Sequence, residues 1–377
     1  MKKCVVIPDS FKGTLTAIEF CNIASEQIRA VYPCCEIIAV PVADGGEGTV
    51  ECFLHAMENG QRVGVTVQGP FGKPIQADYA RFFDTAVIEM AQAAGLPMAG
   101  SEKNPALTTT YGVGELVLHA VKNGCRNIII GLGGSATNDA ACGMAAALGT
   151  VFYNQAHQPF IPTGGTLNQI CDIDISATRK LLSGCVVTAI CDIDNPMFGK
   201  NGAAYVFAPQ KGADSAMVSV LDDNLQSLSK VIEEKLSMQI ADLPGAGAAG
   251  AMGAGIVAFL GGNLKAGIQT ILDLIKFEEV LAGADIVFTG EGQIDYQSLG
   301  GKVVIGIAGR AAACNVPVVA VVGSIGEGVE GAYDLGVSAI FSINRKAMAF
   351  EESRFKTKEN LCDTFDSILR FYKATHR

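Results

Sequence analysis

The 377-residue sequence has no Trp and only four His, and its 38 acidic residues outnumber its 28 Lys and Arg. The resulting net charge of −10 argues against sequence-independent nucleic-acid binding, which requires a surplus of positive charge facing phosphates. The 12 Cys form no Cys-x-x-Cys pair, and with so few His they make a structural zinc site or a disulfide scaffold improbable. We therefore expect a reduced, cytoplasmic protein.

The sequence also has no hydrophobic run that could span a bilayer. One long charge-free stretch lies between Asp242 and Lys265, but that stretch contains Pro244 and seven Gly. A membrane-spanning helix needs about 20 apolar residues, and this stretch falls far short of that. The apolar run near the N-terminus stops at Asp9, so it predicts a first β-strand and not a signal peptide.

Short runs rich in Val and Ile recur along the chain and end abruptly in Gly, Asp or Ser. Continuous hydrophobicity of this kind is typical of strands covered on both faces, as in parallel sheets. Helical periodicity separates many of the runs, most clearly over Thr16–Val31 and Met217–Leu236. Alternating strands and helices predict an α/β fold. The runs are Cys4–Asp9, Ile37–Asp44, Ile128–Ser135, Val186–Asp192, Ile286–Gly292 and Val318–Ser324.

The middle of the chain is less regular, which suggests two domains. The runs at 63–67, 77–83 and 87–90 lie too close together for crossover helices, so they predict an antiparallel section. We expect a discontinuous, Rossmann-like doubly wound domain formed by residues 1–64 and 281–377. Residues 65–280 would form an inserted mixed α/β domain. The stretch 351–377 predicts a closing helix whose apolar stripe runs from Phe355 to Tyr372.

Small and charged residues follow the predicted strands. In open α/β sheets, ligands bind outside the carboxyl ends of strands. Asp9, Asp44 and Asp192 each lie at such an end, where the structural alternative is that each caps the next helix. Clustered carboxylates call for a cation such as Mg²⁺, and glycine turns offer N–H groups to phosphate. Together with nearby lysines, these features favour phosphoryl transfer.

Two glycine motifs are weaker than they look. Gly245-Ala-Gly247-Ala-Ala-Gly250 matches the dinucleotide fingerprint by letter, but no buried strand precedes it, so a nicotinamide site is improbable. Gly301-Lys302 is followed by Val303 and therefore does not form a phosphate-binding loop of the Walker type. The loop Gly133–Asp139 is more informative, because it adds side-chain donors to a glycine turn.

Seven motifs follow one another in the sequence, at 9–13, 41–49, 133–139, 191–196, 209–212, 244–250 and 290–302. Together they resemble those of the type-1 glycerate kinases. The resemblance implies a two-domain α/β enzyme with its active site in the cleft between the domains. It also implies transfer of the γ-phosphoryl group of ATP, with Mg²⁺, to D-glycerate, giving 2-phosphoglycerate rather than 3-phosphoglycerate. One departure is Ala140-Ala141, where many members have Gly.

The chemistry of such a reaction suggests a role for each candidate residue. For the catalytic base we expect Asp192 first and Asp44 second, with Lys12 also assigned to catalysis. Glu291 and Asp295 are the expected Mg²⁺ ligands. The expected glycerate-binding residues are Ser10, Lys12, Ser135, Thr137 and Asn138, and the expected ATP- or phosphate-binding residues are Gly133, Gly134, Lys211, Gly245, Gly247 and Lys302.

Two other functions stay open at this point. One is a kinase of another small hydroxy acid or polyol, and the other is a non-catalytic nucleotide-binding regulator. In either case the expected partners are small molecules, not nucleic acid or membrane. A homodimer is left open.

Overall fold

The computed structural model describes residues 1–43, 45–46, 48–57, 59–346 and 349–375. The strands are β1 Lys3–Val6, β2 Glu36–Ala39, β3 Gln61–Gln68, β4 Pro74–Phe82, β5 Thr85–Glu89, β6 Asn127–Gly131, β7 Val151–Asn154, β8 Pro159–Phe160, β9 Ile170–Asp174, β10 Val186–Ile190, β11 Asn263–Lys265, β12 Ile286–Thr289, β13 Gln293–Ile294, β14 Val318–Val322, β15 Ser324–Ile325 and β16 Val337–Ser342.

The α-helices are α1 Ala17–Val31, α2 Thr49–Ala56, α3 Ala91–Ala94, α4 Tyr111–Lys122, α5 Cys142–Ala147, α6 Ser176–Leu181, α7 Ala203–Phe207, α8 Ser215–Leu236, α9 Ala248–Gly255, α10 Gly267–Leu274, α11 Phe277–Leu281, α12 Val303–Ala313, α13 Gly331–Asp334, α14 Phe350–Ser353 and α15 Thr357–Thr375. Short 3₁₀ turns lie at Leu96–Ala99, Gly164–Gln169, Pro209–Lys211, Ser298–Gly300 and Arg354–Lys356, and a π turn lies at Ile256–Leu260.

The chain divides into two compact units. Unit 1 comprises Met1–Asp44, Glu51–Glu58 and Ala266–Arg377, and unit 2 comprises Gly45–Val50 and Asn59–Lys265. The sequence predicts domain borders at 64/65 and 280/281. These borders concern independently folding domains and stay a prediction. The cleft expected between those domains likewise stays a prediction.

Unit 1 is built on a parallel sheet with the strand order β16-β14-β12-β1-β2. Every residue of β12 and β14 is buried, as expected of strands with helices on both faces. Helices α1 and α15 pack together on this sheet, and Phe20, Phe288 and Phe365 meet in its core. The α/β fold class predicted from the sequence is confirmed.

Unit 2 contains a mixed sheet with the order β11-β10-β6-β5-β4-β3. Strands β5, β6, β10 and β11 pair in parallel, whereas β3, β4 and β5 pair antiparallel. The predicted antiparallel section is therefore present, and β5 joins it to the parallel part. A small antiparallel sheet, β8-β7-β9, lies elsewhere in the same unit.

The closing helix differs from its prediction at one end. Residues Arg354–Lys356 form a 3₁₀ turn, so the long helix α15 begins only at Thr357. Phe355 was expected on the apolar stripe, but it lies in that turn and its side chain is 78% exposed. The expectation for Phe355 was wrong because the turn rotates it off the face that buries Leu361, Phe365 and Leu369.

Within the described parts of the chain, no helix combines the length and the apolar character that a membrane crossing requires.

The two phenylalanines provide a matched test of core packing. Phe365→Ala should lower the free energy of unfolding by about 3–5 kcal/mol, because it removes a fully buried ring that contacts Phe20 and Phe288. Phe355→Ala should change it by no more than about 0.5 kcal/mol. Urea unfolding followed by circular dichroism measures both, and equal effects would contradict this description of the core.

Candidate active site

Two adjacent strands of unit 1 carry carboxylates just past their ends. The pairing of β1 with β12 continues beyond the strands through hydrogen bonds from Ile7 N–H to Phe288 O (2.8 Å) and from Asp9 N–H to Gly290 O (2.8 Å). This register places Asp9 beside the Gly290–Glu291 segment. The Gly323 N–H donates to Glu291 O at 3.1 Å, which ties the same segment to the end of β14. Parallel pairing therefore brings two acidic residues to one edge of the sheet.

The Glu291 carboxyl group is buried and its pKa is shifted. Its side chain is 8% exposed, and its Oε1 atom has no hydrogen-bond partner among the described residues. Burial is the main cause that raises the pKa of Glu291 to about 7. The negative charges of Asp9 and Asp295 act in the same direction, whereas a hydrogen bond from Ser298 and the positive charge of Lys302 oppose the shift. A carboxyl group with a free buried oxygen is suited to bind a cation or a proton.

Asp295 and Lys302 lie in the loop that follows Glu291. Asp295 Oδ1 accepts the Gln297 N–H at 2.9 Å, and its Oδ2 accepts from Gln293 Nε2 at 3.1 Å. Lys302 occupies the N-cap position of α12 without capping it through its side chain. Across the described residues, no group of three or more His, Cys, Asp or Glu is arranged to hold a metal ion.

The predicted substrate residues Ser10 and Lys12 lie in the loop after β1. The Ser10 N–H donates to Asp9 Oδ1 at 2.6 Å. Lys12 is exposed in a tight turn closed by the Thr14 N–H, which donates to Phe11 O at 2.8 Å. A turn of this kind holds the Lys12 backbone in place.

The helix-capping alternative fails for the two strand-end aspartates that the structure describes. Helix α1 is capped by Thr16, which forms a capping box with Glu19. The first helix after Asp192 is α7, and its N-cap residue is Gly202. Helix capping therefore does not explain why Asp9 and Asp192 lie at strand ends. Asp44 lies outside the described residues.

In unit 2, Asp192 follows β10 at the carboxyl end of the parallel strands and is partly buried. The loop that contains Gly245 and Gly247 packs closely on residues 191–196, the segment that includes Asp192. A Cβ atom at Gly245 would lie 2.8 Å from Cys191 Sγ, and one at Gly247 would lie 2.3 Å from Pro196 O. This packing is enough to require glycine at Gly247, and at Gly245 a φ of +83° favours glycine as well.

Lys211 organises the glycine-rich loop after β6. Its side chain is 2% exposed, and Nζ donates to Ser135 Oγ and to Thr137 O, each at 2.7 Å. Burial lowers the pKa of Lys211 to about 7, and the negative charge of Asp139 opposes that shift. The structure therefore joins three sequence-predicted residues, Ser135, Thr137 and Lys211, in one buried contact.

The next residues of this loop face the protein interior. Thr137, Asn138 and Asp139 are all 0% exposed. Thr137 Oγ1, both polar side-chain atoms of Asn138 and Asp139 Oδ1 lack hydrogen-bond partners in the described part of the chain. Burial raises the pKa of Asp139, although its Oδ2 accepts from Thr110 N, Thr110 Oγ1 and Gly143 N. A ligand would reach Thr137 or Asn138 only after the loop moved.

Gly133 and Gly134 begin the same loop. A Cβ atom at Gly133 would lie 2.3 Å from Gly46 Cα, so only glycine fits there. Gly134 O accepts the Leu96 N–H at 2.8 Å.

One buried carboxylate was missed by the sequence analysis. Glu89 ends β5, is 4% exposed, and accepts the Val50 N–H at 2.7 Å. Its signal in the sequence was a Glu closing the apolar run 86–88, the same pattern that singled out Asp9 and Asp192.

Comparison with known proteins gives consistent results. The model of the glycerate kinase family matches residues 4–373. A glycerate kinase from Bacillus cereus is 41% identical over 374 residues, covering 98% of each chain. A glycerate 2-kinase from Escherichia coli is 42% identical over 363 residues, covering 96% of this chain and 95% of its own. A crystal structure described as a glycerate kinase 2 from Salmonella typhimurium LT2 superposes with a TM-score of 0.87 at 39% identity, covering 99% of both chains.

These matches identify an α/β enzyme of the kinase class. The chain belongs to the glycerate kinase family. The resemblance expected from its motifs is confirmed.

The raised pKa of Glu291 predicts a pH-dependent stability. From its ordinary pKa of 4.5 up to about 7, the folded state holds the Glu291 proton more tightly than the unfolded chain does. This contribution to the free energy of unfolding is fully present below pH 4.5 and is lost as the pH rises through 7. Glu291→Gln should therefore gain stability relative to the wild type with rising pH, by up to about 3 kcal/mol.

Urea unfolding between pH 5 and 8 measures this difference. Glu278→Gln is the control. Arg310 lowers the pKa of Glu278, so the contribution of this carboxylate to stability is fully present above pH 4.5 and is lost only at lower pH. The difference between the wild type and Glu278→Gln should therefore stay constant between pH 5 and 8. If the difference in stability between the wild type and Glu291→Gln did not change with pH, the pKa of Glu291 would not be raised in the folded protein.

Proposed function

We propose that the chain transfers the γ-phosphoryl group of ATP to the 2-hydroxyl of D-glycerate, giving ADP and 2-phosphoglycerate. The observation that carries the proposal is the buried Glu291 beside Asp9 at the ends of two parallel strands, with a free oxygen at Glu291. Family membership supports glycerate as the acceptor, and the relative named glycerate 2-kinase supports the 2-position. Consumption of ATP fits the cytoplasmic location expected from the sequence.

Glu291 and Asp295 are the residues that would hold Mg²⁺. The unpartnered Oε1 atom of Glu291 fits this role, because Mg²⁺ prefers oxygen ligands. The lack of a three-residue metal cluster among the described residues is also compatible, since Mg²⁺ in kinases is commonly bound by one or two carboxylates and by substrate phosphates. When bound, the ion would neutralise negative charge on the phosphates.

Asp192 is the proposed catalytic base. The acceptor oxygen forms a bond to the γ-phosphorus while the bond from that phosphorus to the bridging oxygen of ADP breaks. The hydroxyl proton passes to the Asp192 carboxylate. Asp44, which lies outside the described residues, stays the second choice.

Positive and N–H groups would bind the anionic parts of the substrates. Ser10 and the exposed Lys12 are proposed to bind the glycerate carboxylate, and Lys302 is proposed to bind a phosphate. Gly133, Gly134, Gly245 and Gly247 are proposed as backbone contacts to ATP. Lys211 would act through the loop it fixes, since two of its three N–H groups are used by Ser135 and Thr137.

Thr137 and Asn138 stay proposed glycerate contacts on the condition that the loop rearranges. Their burial is the reason for that condition, and their unpartnered polar atoms are what a bound anion or water would satisfy.

A coupled ADP-release assay over a panel of hydroxy acids and polyols tests the function. We expect ADP release that requires both D-glycerate and Mg²⁺, and a ³¹P NMR spectrum of the product with phosphorus coupled to a single C2 proton. A faster rate with another acceptor would favour the kinase of a different hydroxy acid or polyol. ATP binding without ADP release on any acceptor would favour the regulator.

Asp192→Asn tests the base. The substitution keeps the size of the side chain but removes its basicity, so kcat should fall by about 10²–10⁴-fold while ATP binding is retained. Asp194→Asn, at an exposed position two residues away, is the matched control and should stay close to the wild-type rate. Steady-state kinetics and calorimetric ATP binding measure the two effects. A near-normal kcat for Asp192→Asn would transfer the role to another group.

A further inference from the structure

A short chain segment lies across the carboxyl ends of three neighbouring strands of unit 2. We call it the 45–50 segment, meaning the described residues 45, 46 and 48–50. Strands β5, β6 and β10 are adjacent and parallel, so their carboxyl ends share one edge of the sheet. The 45–50 segment contacts the last residues of each of them.

Its contacts with β6 and β10 are made backbone to backbone. The Gly133 N–H donates to Gly45 O at 3.0 Å. A Cβ atom at Gly131 would lie 2.5 Å from Gly45 O, and one at Gly45 would lie 2.8 Å from Ile190 O. Since Cβ atoms do not come within 3.0 Å of such atoms, these positions accept only glycine. The 45–50 segment and the ends of β6 and β10 are therefore in direct backbone contact, which only glycine allows.

The contact with β5 is made by the side chain of Glu89. Its carboxylate accepts the Val50 N–H at 2.7 Å, in the first turn of α2. Donor and acceptor are both buried, Val50 at 2% and Glu89 at 4% exposed. An N–H in the first turn of a helix has no intrahelical acceptor, so a side chain must supply one when the turn is buried. Thr49 Oγ1 closes the turn just before, donating to Gly46 O at 2.7 Å.

We propose that Glu89 is a positioning residue for the phosphoryl transfer, acting by holding the 45–50 segment against the strand ends. This inference rests on the proposed function. The segment touches Ile190, two residues before the proposed base Asp192, and it touches Gly133, two residues before Ser135. A segment released from Glu89 loses the anchor that sets the spacing of those two loops.

The expected consequence is a loss in kcat with little change in ATP binding. Displacing a reacting group by about 1 Å can cost on the order of 100-fold in rate. We expect Glu89→Ala and the nearly isosteric Glu89→Met to lower kcat at least about tenfold, since neither has an acceptor for the Val50 N–H. Glu89→Gln keeps an acceptor oxygen and should stay within about threefold of the wild type.

Glu115→Ala is the matched control. The Glu115 carboxylate likewise accepts a backbone N–H, that of Gln68 at 2.6 Å, in the same unit. Its partner Gln68 lies on β3, the edge strand two positions away from β5 in the sheet. The control separates a general loss of stability from a loss of position. All variants are assayed at a temperature where circular dichroism shows them fully folded, and the KM for ATP is measured together with kcat.

Hydrogen–deuterium exchange supplies a readout that does not depend on activity. In the wild type, a peptide that begins several residues before Val50, such as 45–56, should contain a slowly exchanging amide at Val50. In the Ala and Met variants its exchange should accelerate at least about tenfold, with no change in α4. An unprotected Val50 amide in the wild type would overturn the proposal even if the acceptor-free variants failed to fold.

The kinetic outcomes are equally decisive. Loss of kcat in the Ala and Met variants, with rescue by Gln and no effect of Glu115→Ala, supports the proposal. Equal losses in Glu89→Ala and Glu115→Ala, or a normal kcat without Glu89, overturn it. If the wild type releases no ADP with glycerate, the proposed function fails, and exchange at Val50 still shows whether Glu89 holds the segment.

Discussion

Parallel strand pairing is the constraint that positions the candidate residues within each unit. In unit 1 the β1–β12 ladder brings Asp9 beside Glu291, and in unit 2 the β6–β10 ladder brings the Gly133 loop to the same edge as Asp192. The strands themselves are almost fully buried, so the first polar residues after them remain largely out of water. Charged groups in these loops lose hydration, which raises the pKa of Glu291 and lowers the pKa of Lys211.

The two buried carboxylates Asp139 and Glu291 differ in how well their oxygens are hydrogen-bonded. Asp139 is satisfied on one oxygen by Thr110 and Gly143, and its charge supports the buried ammonium group of Lys211. Glu291 keeps an unpartnered oxygen and a pKa near 7. The first arrangement orders a loop, whereas the second leaves a group able to exchange a proton or bind a cation. These two carboxylates therefore have different roles, which depend on how many hydrogen-bond donors the fold supplies to each.

The glycines at the strand ends have a packing role that is independent of any ligand. Gly133, Gly245 and Gly247 each lie so close to another backbone or sulfur atom that a Cβ would collide. A phosphate site and a close backbone approach both favour glycine, so composition alone cannot separate them. The same close approach lets the 45–50 segment lie flat on the strand ends, where Glu89 can reach the first turn of α2.

The sequence by itself determined the α/β class, the antiparallel section around residues 63–90, and the strand-end loops that carry Asp9, Ser135, Asp192 and Glu291. It did so because buried parallel strands leave continuous apolar runs that stop at polar residues. Only the tertiary structure decided which of those residues are enclosed, since burial depends on neighbours distant in the chain. Lys211 and Ser135 are 76 residues apart and form one buried contact, and Val50 and Glu89 are 39 apart and form another. Phe355 shows the converse, because one local 3₁₀ turn exposes a ring that helical periodicity alone would bury.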